Sequence, residues 1–574
     1  MNIQATQTSW APRPYPTQTW TGPHGSVSEP VVEQVPQIPT TIRAVKDSQS
    51  PRSGRTLVIC LDGTGDQFDN DNSNVVKLVG CLKKDAPDQL TYYQSGIGTY
   101  NGRGGLKKGL SAGFDMALGS GLGIHIKEAY SFLMQNYIEG DRICLFGFSR
   151  GSYTVRCLAG MLHKVGLLPA DNQAQVSFAY KMYKDDTPNG AAMSVDFKRT
   201  FSQDVTVYFI GVWDCVASML LSSEDVPCQE STDSRSSKVG FIPRMLPFSK
   251  SPTNTIGYFR HAMALDEHRA KFEVCQWQQQ DPGADHDVLD KTPRARIRRW
   301  FSSFGHSSTA DQNSNAKISP PPSPSHRESV GNVSGNVVQE KIGPRFATSK
   351  QTLETPTTTN VKEVWFMGCH ADVGGGAVPN NERHMLSRIP LRWMIRQCFE
   401  CETGILFNTA VLAENGLDIR SVWPVYQPPK KPIVGPSPRM LELYQKGKVP
   451  GLEKRAAALG VGGPLSSKTL DNEEIEILPE QVEDHFDALA SINDQLVQAR
   501  GWWILEVWPV TIRVMRKAKE GRKWKKVAGM NLGMHRPIRD LEPSMHWTVR
   551  MRMEEKKYKV RDRMDPEAIW SVVV

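Results

Sequence analysis

Residues 142–162, RICLFGFSRGSYTVRCLAGML, constrain this chain more than any other stretch. A short apolar run, 143–146, passes through Gly147-Phe148-Ser149-Arg150-Gly151 into a helical pattern with small residues at Gly151, Ala159 and Gly160. An apolar strand that turns at once into a close-packed helix belongs in a parallel sheet with helices laid against it. The G-x-S-x-G pentapeptide at the junction fits a strained strand-to-helix turn that lifts a serine hydroxyl clear of its surroundings. A serine needs such a position, and a neighbouring base, to act as a nucleophile at neutral pH. Ser149 is therefore the candidate nucleophile, with the Arg150 N–H at the helix start placed to meet a developing oxyanion. The alternative is a Gly-rich turn that happens to carry a surface serine.

The remaining chain repeats the alternation of strand, loop and helix. Residues 55–61, RTLVICL, read as a central parallel strand that ends in Asp62-Gly63-Thr64-Gly65-Asp66. Helices are expected at 74–82, 124–137, 386–398 and 482–500, and strands at 90–94, 204–213 and 361–369. Residues 261–272 and 273–277 read as a helix and a strand. The expected fold is α/β and α/β-hydrolase-like: a mostly parallel sheet with helices on both faces, a disordered N-terminal tail and insertions. Residues 1–53, rich in Pro, Thr, Gln and Ser, form the tail. The hydrolase-like domain takes 54–277, with a mobile Gly-rich loop at 102–123, and resumes at 361–424. Between these parts, 278–360 is a disordered Ser/Pro-rich insertion; 425–480 is an irregular insertion, and 481–574 a Trp-rich closing or cap segment.

Composition excludes more than it assigns. A net charge of +8 on 574 residues is mild, so nucleic-acid binding is not expected. Ten cysteines lie scattered, several in apolar stretches, as small buried hydrophobes of a reducing compartment. Cys398 and Cys401 form a lone C-x-x-C without a second pair at metal spacing, so no metal and no cofactor are expected. No basic and apolar leader opens the chain, and no run of 18 apolar residues interrupts it. A soluble intracellular, cytoplasmic protein is expected.

Three residues each follow an expected buried strand: Ser149, Asp214 and His370. In a parallel sheet that places them at one edge, and the order Ser, acid, His is that of α/β-hydrolases. His370 is the candidate base and Asp214 the residue that orients it. Asp372 and Asp266 are alternative acids, and His370 could instead shape the Gly-rich turn at 374–376. Gly63 or Thr64 offers a second oxyanion N–H. The same segment also suggests the D-x-D-G-T start of a phosphatase, but the nucleophile position two residues before Asp62 holds Cys60; a plain Asp–Gly turn is the third possibility. Residues 513–526, RVMRKAKEGRKWKK, suit either a solvated hairpin or helix face or peripheral contact with an anionic membrane. The tryptophans of 501–509 are expected in the core.

Taken together, LDGTGD at 61–66, GFSRGSYTVR at 147–156, GVWDCVAS at 211–218, HAMALDEHR at 261–269 and VWFMGCHADVGGG at 364–376 resemble a known family. It is the α/β-hydrolase domain long catalogued as a domain of unknown function and described by its similarity to type VI secretion phospholipase effectors. The likeness covers most of 55–400, and residues 502–509 resemble the family's C-terminal block. It implies lipase or phospholipase chemistry for Ser149, with His370 in the family's His-x-Asp-Val-Gly-Gly segment and a lipid or ester substrate. The remaining alternative is a catalytically inactive hydrolase fold used for binding.

Overall fold

Among the described residues, eight strands make one sheet, and every pairing in it is parallel. The computed structural model describes residues 37–50, 54–97, 121–216, 246–249, 255–277, 358–430, 436–461, 477–517, 522–561 and 563–574. Most of the expected tail and of the Gly-rich loop, and nearly all of the Ser/Pro-rich insertion, lie outside them. Apart from the main sheet, β1 (Thr41–Arg43) pairs antiparallel with β8 (Leu406–Asn408). The main sheet takes β2 (Thr56–Leu61), β3 (Gln89–Gln94), β4 (Arg142–Phe148), β5 (Val207–Trp213), β6 (Ile256–Ala264) and β7 (Asn360–Phe366). A basic hairpin, β9 (Val510–Lys517) and β10 (Arg522–Gly529), precedes two short strands, β11 (Ser544–His546) and β12 (Ser571–Val573). The spatial order is β12-β11-β7-β6-β5-β4-β2-β3.

That order has a functional consequence. The chain leaves β2 for the edge strand β3 and returns to β4 on the other side of β2, so the winding reverses at the β2/β4 boundary. Open parallel sheets place their sites in the crevice at the carboxyl ends of the strands flanking such a switch point.

The strands are apolar on both faces because both faces are covered. Val58 and Cys60 of β2 join one core, while Leu57, Ile59 and Leu61 join the other. One layer holds α1 (Asn74–Cys81), capped by Ser73; the opposite layer holds α2 (Gly121–Asn136), α3 (Ser149–Val165), α4 (Gln173–Lys184) and α5 (Pro188–Phe201). Phe146, Phe209 and Trp213 pack together on the α1 side, fully buried. Each contributes about 1.5–3 kcal/mol by leaving water.

A five-residue helix, α6 (His370–Gly374), follows β7, and α7 (Arg388–Glu400) covers the α1 face. Downstream, α8 (Glu480–Ala488) is tied to α7 by buried ion pairs: Arg392 to Asp484 and Asp487, and Arg396 to Glu480. Such pairs add little net stability, because desolvating the two charges offsets their attraction. α9 (Trp547–Lys556) links β11 to the last segment.

Several expectations are corrected. Residues 261–264 belong to strand β6, not a helix, and 273–277 supply only a bridge, Val274 to Val216. Residues 38–45 sit in the expected tail, yet Ile42 and Ala44 are buried and β1 is paired. Helix α2 already begins at Gly121, inside the expected loop. The expected 482–500 helix breaks after α8, where Asn493 and Asp494 accept other duties. The C-terminal segment does more than cap: β11 and β12 extend the sheet.

Candidate active site

Ser149 stands at the end of β4 with φ of 56°, a left-handed backbone value that a serine adopts only under constraint. The constraint is close packing of the elbow. A Cβ on Gly147 would lie 2.7 Å from Gly151 carbonyl atoms, and one on Gly151 would lie 2.2 Å from the Leu61 carbonyl at the end of β2. The Ser152 hydroxyl staples the turn, sharing its one proton between the carbonyls of Gly147 (2.7 Å) and Trp213 (3.0 Å). Helix α3 thus starts directly against the β2/β4 switch point. Arg150 follows Ser149 in the first turn of α3.

Three strand ends converge here. The Ser149 hydroxyl lies 2.7 Å from His370 Nε2, and His370 Nδ1 lies 2.5 Å from Asp214 Oδ2. All three side chains are buried, Asp214 completely. Because an ionised carboxylate only accepts, Nδ1 carries the proton and Nε2 is left with its lone pair facing Ser149. Burial is the largest influence on His370 and lowers its pKa from the ordinary imidazole value, against the raising effect of Asp214. Burial alone would push the Asp214 carboxyl up. Arg536 and His370 outweigh it and hold Asp214 well below the usual carboxylate range.

The two alternative acids are engaged elsewhere. Asp372 accepts from the N–H of Cys369 (2.9 Å) and from the backbone and side chain of Asn493 (2.9 and 2.7 Å), and burial pushes its carboxyl up to about 6. Asp266 accepts from the Gly368 N–H and the Tyr558 hydroxyl, each at 2.6 Å. Both hold the β7–α6 turn, and neither bonds the His370 ring.

The Asp62 loop is equally determined. Asp62 is buried, which raises its pKa, and it accepts from the Tyr93 hydroxyl (2.9 Å) and from the Gly63 N–H (2.8 Å). The Gly63 N–H is therefore already given away. Phe148, next to the nucleophile, is clamped between this loop and α6. A Cβ on Gly63 would stand 2.8 Å from its ring, and one on Gly374 would stand 1.8 Å from it. The Phe148 ring in turn packs against His370, tilted, with centroids 4.7 Å apart.

Several contributors escaped the sequence pattern. Phe272 packs edge-on to His370 at 4.8 Å, and Trp502 to Phe272 at 5.5 Å. Arg269 lies over both rings and pairs with Glu267, which accepts the His370 backbone N–H at 3.2 Å. Burial pushes the Glu267 carboxyl up, but Arg269 and Arg536 bring it down to about 2. Arg536 grips Asp214 with both terminal nitrogens, at 2.6 and 2.9 Å.

Residues 55–397 match the family described as the T6SS phospholipase effector Tle1-like catalytic domain. The chain belongs to that family. An uncharacterized protein of Saccharomyces cerevisiae, YEL023C, is 25% identical over 612 residues, a stretch covering 90% of this chain and 82% of the yeast protein. A crystal structure of an uncharacterized protein from Pseudomonas aeruginosa is similar at 14% identity and a TM-score of 0.27, over 71% of this chain and 52% of that one. The chain thus spans about half the length of that crystallised protein. In this Tle1-like chain the matched residues hold Ser149, Asp214 and His370, while Asn493, Trp502 and Arg536 come from beyond them. Among the described residues, no helix is long and apolar enough to cross a membrane.

Proposed function

We propose that this Tle1-like chain is a serine hydrolase of carboxylic ester bonds, acting on acyl lipids without a metal or cofactor. The observation that carries this reading is the unbroken hydrogen-bond chain from Ser149 through His370 to Asp214 at a parallel-sheet switch point. Ser149 Oγ attacks the ester carbonyl carbon as its proton passes to His370 Nε2. The N–H groups of Arg150 and Thr64 are the proposed donors to the oxyanion so formed, the Gly63 N–H being given to Asp62. The carbon–oxygen bond to the alcohol then breaks, and His370 returns the proton to that leaving group. Water, deprotonated by the same imidazole, releases the fatty acid and restores Ser149. Asp214 keeps the imidazole in one tautomer and stabilises its cation.

Contact with an anionic membrane through residues 513–526 belongs to the same proposal. Arg516, Arg522, Lys525 and Lys526 are exposed on the β9/β10 hairpin. The chain enters that hairpin from Trp503, Ile504, Val507 and Trp508, which are exposed rather than in the core as the pattern predicts; Trp508 is 67% accessible. Aromatic and apolar groups beside cations suit the headgroup boundary of a bilayer. The test is release of fatty acid from short esters, triacylglycerols and phospholipids by the wild type and by S149A. Turnover that S149A loses supports the reading, and equal turnover by both contradicts it.

A further inference from the structure

Asp214 is an unusually well-filled carboxylate. Its Oδ1 accepts from the Ala264 N–H (2.9 Å) and Arg536 Nη1 (2.6 Å), and its Oδ2 from His370 Nδ1 (2.5 Å) and Arg536 Nη2 (2.9 Å). A carboxylate offers about four acceptor directions, so none is left over. Arg536 is itself buried, and two more of its five N–H donors go to the carbonyls of Ala264 (3.0 Å) and Phe272 (2.7 Å). The guanidinium is therefore locked to the end of β6 and the loop after it, and this rigid fork sets the plane of the carboxylate. Arg536 lies 322 residues from Asp214 and outside the 55–397 match.

We infer that Arg536 is a positioning residue of the hydrolytic site, holding the Asp214 carboxylate so that Oδ2 meets His370 Nδ1. The inference rests on the Ser149–His370–Asp214 reading and makes the C-terminal segment part of the working site. Charge acts in the same direction as geometry. A completely buried carboxylate without a cation tends to take up a proton, and a protonated Asp214 would no longer demand the Nδ1–H tautomer. The charged and titratable groups facing the dyad are Arg536 and the Glu267–Arg269 pair, with the Cys369 thiol beside them. Glu267 and Arg269 answer each other through two bonds of 2.9 and 2.8 Å, so the cation that answers Asp214 is Arg536. Lysine could restore the charge there but not the two-point grip.

The experiment uses the full chain and four proteins, wild type, R536Q, R536K and S149A, with kcat and KM on a soluble short-chain ester measured across pH beside the folded fraction by circular dichroism. R536Q is expected to lose about 100-fold in kcat at nearly unchanged KM, the cost of a misplaced catalytic group. Its acid limb moves to higher pH, because the Asp214–His370 pair without its neighbouring cation takes up a proton more readily. R536K falls between R536Q and wild type in kcat and keeps the acid limb in place. Wild-type kcat and acid limb in R536Q would overturn the inference, as would losses in both variants that merely follow the folded fraction. Should R536Q not fold, R536K decides alone: a kcat loss at unchanged KM and folded fraction supports the inference, and wild-type kcat overturns it. Activity surviving in S149A would remove the underlying reading. An inactive S149A beside a normal R536Q would remove only the role of Arg536.

Discussion

Replacing Asp214 by asparagine takes one charge out of a pair from which water is excluded. Asp214 has no exposed surface, and Arg536 has almost none. With Asp214 neutralised, the guanidinium keeps two carbonyl contacts but no carboxylate, since the nearby Glu267 is already committed to Arg269. Removing one partner of such a pair costs about 3–5 kcal/mol, mostly the desolvation of the charge left behind. Activity falls further than stability alone explains. Asparagine can donate to the imidazole and favour the wrong tautomer, a change that lowers kcat about 10⁴-fold in serine hydrolases of this chemistry. The two effects separate in a double-mutant cycle with R536M. D214N/R536M leaves no buried charge unpaired, so it recovers most of the stability lost in D214N while staying inactive. Urea unfolding gives the stabilities and ester turnover the activities. A D214N protein that loses under about 1 kcal/mol, or a coupling energy below about 0.5 kcal/mol, would refute the reasoning.

Three further outcomes follow from the same geometry. Burial lowers the pKa of His370, so its neutral, proton-accepting form persists to lower pH than in an ordinary imidazole. The acid limb of kcat/KM should therefore have its midpoint below about 6.5, and a midpoint above about 7 would contradict the account. A Cβ on Gly96 would stand 1.5 Å from the Gly63 carbonyl oxygen. Gly96→Ala must displace the Asp62 loop, lowering kcat/KM at least about tenfold together with Tm; wild-type kinetics would be the contrary result. Trp503→Ser combined with Trp508→Ser should weaken cosedimentation with anionic vesicles several-fold while leaving short-ester turnover unchanged, and unaltered vesicle binding would speak against membrane contact there.

Ser149, Asp214 and His370 were legible in the chain because each follows a run of buried apolar residues, and a parallel sheet gathers such strand ends at one edge. The choice of Asp214 over Asp372 and Asp266 rested on chain order and strand-end placement alone. All three lie near strand ends, and only the geometry reveals that the last two are occupied by Asn493, Gly368 and Tyr558. Strand β6 was misread for a related reason. Its FRHAMA run is buried on both faces, so it lacks the alternation that marks a half-exposed strand, and it holds residues that also favour helices. The break after α8 did carry a signal. Ser491, Asn493 and Asp494 are cap residues, and Asp494 caps the next turn of helix through the Leu496 N–H. Arg536 carried none. A basic residue among basic neighbours becomes part of the site only when the chain returns, hundreds of residues later, to the end of β6. The three-residue strands β11 and β12 likewise owe their pairing to the existing edge of β7 rather than to local propensity.

The proposed mechanism makes Ser149 a nucleophile activated by His370 and Asp214. Intact-mass analysis after treatment with a fluorophosphonate tests it most directly, with wild type, S149A and H370A treated alongside one another. One adduct is expected on the wild type, mapped to Ser149, with none on S149A and strongly slowed labelling of H370A. A folded wild type that stays unlabelled, or an adduct that persists on S149A, would contradict it.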